Sequence, residues 1–81
     1  MKYTINRLLY PEGDFQEISH SLKINQLVDV NGYPLKLPLQ SSKIIAYEVS
    51  RIQKKSTRNE EITEYHLELC DIYELEEYAG Y

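Results

Sequence analysis

Cys70 and His66 are the first pair in this 81-residue chain whose types suit a nucleophile and its base. Four positions apart on a strand, they share a face but stand roughly 13 Å from each other, at about 3.3 Å per residue. A catalytic dyad needs hydrogen-bond reach, about 3 Å. Cys70 therefore reads as a small, half-buried hydrophobe. Ser19-His20-Ser21 offers hydroxyls beside an imidazole, but neighbours on a strand point to opposite faces, so His20 activates neither serine directly. The geometric tests of an active site are not met, and no catalytic residue is assigned.

Three further groups bear on binding. Glu64, His66 and Glu68 share the outer face of one strand, with Glu48 expected opposite His66. Imidazole and carboxylates are ordinary ligands of divalent metals. Same-face neighbours lie roughly 6.5 Å apart, however, which favours a solvated, charge-paired face over a metal site. On that face Glu48 would raise the pKa of His66. Arg51, Lys54, Lys55 and Arg58 form a basic tip able to touch phosphate. The chain also has eight tyrosines. Tyr47 and Tyr65 are expected in the core, whereas Tyr3, Tyr10, Tyr33, Tyr73, Tyr78 and Tyr81 are candidates for exposure, where Tyr serves interfaces well.

The elements that must position these groups follow from periodicity and turn chemistry. Residues 2–10 read as a first strand, ended by the turn residues Pro11-Glu12-Gly13-Asp14. Residues 14–24 fit a strand or a short helix, and the overall composition favours a strand. Asn31-Gly32, between apolar runs, predicts a two-residue hairpin pairing Val30 with Tyr33 and Val28 with Leu35. Pro34 and Pro38 limit its second strand to an edge. The longest element is a hairpin over residues 43–71. Its expected pairs are Val49–Tyr65, Tyr47–Leu67 and Ile45–Leu69 inward, and Ile52–Ile62, Lys54–Glu60 and Glu48–His66 outward, around a polar loop at 55–59. Each good pair contributes roughly 0.2–1 kcal/mol. Asp71 and Glu74 have capping-box spacing before Ile72, Leu75 and Ala79, with Gly80 following, so a short C-terminal helix is expected.

Composition bounds the rest. Eight isoleucines and eight tyrosines against two alanines lean toward β. A single domain spanning residues 1–81 is expected, with a thin core. Its single cysteine allows no internal disulfide. No stretch approaches the roughly 18 apolar residues of a membrane span, and the first ten residues lack a signal-peptide core. A cytoplasmic protein with no membrane association is the expectation. The net charge of −4 hides an asymmetry, since residues 60–81 hold eight acids and no Lys or Arg.

The resulting expectation is a mainly β protein: a small antiparallel sheet or partly open barrel of about five strands, with a long 43–71 hairpin and a short C-terminal helix. It is expected to be non-catalytic, without cofactor or metal. Its expected role is a protein-interaction or regulatory module, with another protein or a second copy as partner. The candidate interaction residues are Tyr33, Arg51, Lys54, Lys55, Arg58, Glu64, His66, Glu68, Tyr73 and Tyr78. β-augmentation near residues 35–39 is one route to a partner. The alternatives are a nucleic-acid binder using the basic tip, disfavoured by the acidic sum beyond residue 60, and an acidic inhibitor that mimics nucleic-acid charge.

Overall fold

The computed structural model describes residues 3–41 and 43–80; Lys2 and Tyr81 lie outside them. Five strands, β1 (Tyr3–Leu9), β2 (Phe15–Ile18), β3 (Leu27–Val28), β4 (Tyr47–Ser56) and β5 (Glu60–Leu69), precede one helix, α1 (Ile72–Tyr78). They form a single sheet in the order β2-β1-β5-β4-β3, curled into a half-barrel. The β1–β5 pair is parallel and the others are antiparallel, so the sheet is mixed.

Local chemistry explains most of the boundaries. Gly13, at φ +102°, completes the turn between β1 and β2, where the Gly13 N–H donates to the Tyr10 carbonyl at 3.0 Å. The ambiguous 14–24 segment is extended only over β2. At the C-terminus the capping box forms as its spacing implied. The Glu74 N–H donates to Asp71 Oδ1 at 2.8 Å, and the Asp71 N–H donates to Glu74 Oε1 at 3.2 Å. Gly80 follows in the left-handed region, at φ +82°.

The long hairpin exists, but its register differs from the expected one by two residues. Val49 pairs with Leu67, Tyr47 with Leu69, and Glu48 with Glu68 rather than His66. The loop is also shorter than the expected five residues: the Thr57 N–H donates to the Glu60 carbonyl at 2.8 Å, leaving Arg58 and Asn59 as its tip. A bulge between Val49 and Arg51 then changes the alternation, so that Ile52 pairs with Tyr65, Lys54 with Thr63 and Lys55 with Ile62. Tyr47, Val49 and Ile52 are spaced two and then three apart. One extra residue, Ser50, lets all three face inward, which a regular ladder would forbid. The expected Ile45–Leu69 packing fails, because both side chains are exposed.

The Asn31-Gly32 hairpin is shorter than expected and its loop is one residue longer, with the Asp29 N–H donating to the Tyr33 carbonyl at 2.9 Å. Only Gly32 has positive φ, so the turn is not type I′. The Gly32 N–H donates to the Asp29 carbonyl at 3.0 Å. The Asp29 carboxylate accepts from the N–H groups of Asn31 and Tyr33, at 2.8 and 3.0 Å. This Asx chemistry shifts the pairing by one, so Val28 bridges Pro34. Residues 35–39 add no strand, and the expected augmentation edge is absent from them. Leu39 is instead buried beneath α1, its N–H donating to the Tyr78 carbonyl at 2.9 Å.

The two faces of the sheet carry separate cores. Leu8, Leu22, Val28, Tyr47, Val49, Tyr65 and Leu67 fill the concave side, with Ile52 packed against them. Leu27, Leu39, Ala46, Cys70 and Leu75 form a second cluster under α1. The open side of the half-barrel is bridged by side chains from the β1–β2 hairpin and the segment after it. Tyr10 Oη donates to the Val30 carbonyl at 3.0 Å, Gln16 Nε2 to that of Asn31 at 3.2 Å, and His20 Nε2 to that of Gly32 at 2.8 Å. Among the described residues, no helix is long and apolar enough to cross a membrane.

Candidate functional site

The structure divides the expected basic tip among several surfaces. Lys54 lines a polar concavity of about 420 Å³ at the mouth of the half-barrel, with Thr4, Asn6 and Thr63. Lys55 projects from the other face and meets Glu64 at 3.1 Å. Arg51 pairs across from His66, and Arg58 is exposed at the turn. No single phosphate-sized patch gathers all four, because neighbours on a strand alternate between faces.

Glu64 departs most from the expected solvated face. It is buried, and it joins Lys55 to Arg7 of β1, which lies 3.8 Å away. The Arg7 guanidinium sits 5.4 Å from the centre of the Phe15 ring. His66 Nε2 and Arg7 Nε are buried without hydrogen-bond partners among the described residues. With Arg51 opposite His66, the expected Glu48 influence on that ring is not what the pairing provides.

The tyrosines separate largely as expected. Tyr47 and Tyr65 are core, while Tyr3, Tyr33 and Tyr73 are exposed. Tyr33 stacks on His20, with ring centroids 5.7 Å apart. Tyr78 packs its ring against the cluster under α1.

That end of the sheet holds the arrangement that sequence reading missed. Glu48, from β4, shares a face with Cys70, whose N–H donates to the Ala46 carbonyl at 2.9 Å. Glu74, in the first turn of α1, completes the group. One ligand-type atom from each of the three lies within 4.8 Å of the others. Burial and then Glu74, Glu48 and Asp71 push the Cys70 thiol up to about 11. It stays protonated at neutral pH, and a protonated thiol is a poor nucleophile. Burial, then Glu74 and Glu68, raise the Glu48 carboxyl above its ordinary value. Tyr78 is raised by burial and then by Glu48, Cys70, Glu74 and Glu77. Face parity together with the observed register would have found this group. The expected register placed Glu48 opposite His66, two residues away from its observed partner.

Large apolar side chains surround the same end. Ile45, Leu69, Ile72 and Tyr73 are each between 48 % and 78 % exposed. Ile45 precedes Ala46, which bonds to Cys70, and Leu69 pairs with Tyr47, so the backbone brings these residues together where α1 begins. Glu68, Asp71, Glu76 and Glu77, also exposed, border them.

A family model described as an uncharacterised Treponema protein matches residues 5–78, and the chain belongs to that family. No curated protein and no solved structure matches it.

Proposed function

We propose that this family member is a non-catalytic protein-interaction module whose partner docks at the α1 end of the sheet. The observation that carries this reading is the exposed group Ile45, Leu69, Ile72 and Tyr73, set at one end of the molecule. Exposed apolar clusters rimmed by polar groups are the usual mark of a protein-binding surface. The border of acids gives the partner its chemistry. Residues 60–81 carry eight acids and no Lys or Arg, so a second copy docked by the same face would set acid against acid. A different protein, with an apolar centre and a basic rim, is the complement.

The test captures partners from the native host on the intact chain and on Leu69→Ser/Tyr73→Ser. A partner retained by the intact chain, released by salt and lost from the variant supports the reading. Equal retention by both chains overturns it, and so does a concentration-independent dimer in light scattering.

The acidic border also favours a second reading, a mimic of nucleic-acid charge. Competition with duplex DNA for the captured partner separates the two. A mimic is displaced by DNA and is insensitive to Leu69→Ser/Tyr73→Ser.

A further inference from the structure

We infer that Glu48, Cys70 and Glu74 form a divalent-cation site that takes a borderline metal of the zinc type and ties α1 to β4 and to the segment after β5. The three donors come from three separate parts of the chain, and their ligand atoms already lie within 4.8 Å of one another. In a four-coordinate zinc site, metal–sulfur and metal–oxygen bonds of about 2.3 and 2.0–2.2 Å set the ligand atoms roughly 3.5 Å apart. Side-chain rotation covers the difference.

Two independent observations point to a cation here. The first is the thiol itself. Cys70 is only 6 % exposed, and its sulfur faces two carboxylates. The second is the missing positive charge. Among the described residues, the ion pairs place Arg7 and Lys55 on Glu64, at the middle of β5. Among the described residues, neither Glu48 nor Glu74 pairs with a Lys or Arg. The groups around the nook are Glu68, Asp71, Glu77 and Tyr78. None of them supplies positive charge. A bound dication supplies it.

The donor set chooses the metal. A thiolate beside two carboxylates suits zinc better than calcium or magnesium, which prefer all-oxygen shells. Three protein ligands leave one position for water. On binding, the S–H bond breaks, a metal–sulfur bond forms and the proton leaves to solvent, with no change of oxidation state. A small domain without a disulfide gains a staple in this way. The site rests on different observations from the docking surface, and either can fail alone.

The experiment uses the whole chain and cobalt(II) as a spectroscopic stand-in for zinc. Titration is expected to produce a sulfur-to-cobalt charge-transfer band in the near ultraviolet, saturating at one metal per chain and bleached by zinc. Cys70→Ser should abolish the band, while Glu48→Gln and Glu74→Gln should each weaken affinity roughly tenfold or more. Gln at position 74 keeps the capping geometry, and circular dichroism of each metal-free variant verifies the fold. Zinc should raise the melting temperature of the intact chain and leave that of Cys70→Ser unchanged. Absence of the charge-transfer band overturns the inference, as does unaltered affinity in both carboxylate variants.

Discussion

Leu8 has no exposed surface, and Gly32 comes close enough that a Cβ built on it would collide with Leu8 Cδ1. Gly32 also holds φ +84°. Two constraints therefore act on one residue, and Gly32→Ala is expected to destabilise by more than 1 kcal/mol. Leu8→Ala removes packing from the centre of the concave core and should cost about 2–5 kcal/mol. Denaturant titration of each variant measures both. Glu48 gives the pH-dependent prediction. Its folded carboxyl is raised, so its contribution is favourable below the ordinary carboxylate value and is lost as pH rises through the raised one. Glu48→Gln is accordingly expected to stabilise the metal-free chain at pH 7, by about 1 kcal/mol or less. That gain should vanish below about pH 4. Thermal melts in chelator across this range give the sign.

Among the elements, α1 depends on its cap. Seven residues make a marginal helix in isolation, so packing of Leu75 and the Asp71 cap must hold it. Asp71→Ala should cost about 1 kcal/mol and fray the first turn, visible as faster amide exchange at Glu74 and Leu75. The bulge in β4 accommodates one extra residue, Ser50. Deleting Ser50 joins the Val49–Leu67 and Arg51–His66 pairs in a regular ladder and leaves Ile52 facing inward, opposite Tyr65. The deletion variant is expected to keep cooperative unfolding in denaturant titration, and Ser50→Ala, which loses the bond to the His66 carbonyl at 3.1 Å, should cost about 1 kcal/mol.

Across the whole molecule, β5 is the member on which the others depend. It lies between β1 and β4, and Glu64 at its middle engages a cation from each. Glu64→Ala leaves Arg7 and Lys55 without their counter-charge and is expected to cost about 1–3 kcal/mol. The parallel β1–β5 contact joins residues some fifty-seven apart. Such pairing closes late in folding. Electrostatically the protein has two ends, one bearing Arg58 and the hairpin tip, the other the acids around α1. The proposed partner surface and cation site share the second end, where burial has left charge unneutralised.

Much of this was legible from residues alone. The mainly β class, the β1 turn, the long hairpin, the capped helix and the inward Tyr47 and Tyr65 follow from spacing that acts over a few positions. The hairpin register did not, because several alignments match apolar to apolar. The tight Arg58-Asn59 tip and the Ser50 bulge select among them, and the bulge exists to bring Ile52 into a core assembled from distant segments. The parallel β1–β5 pair, the burial of Glu64 between two cations and the meeting of Glu48, Cys70 and Glu74 share one cause. Each requires strands remote in sequence to lie side by side, and that adjacency arises only when the sheet closes.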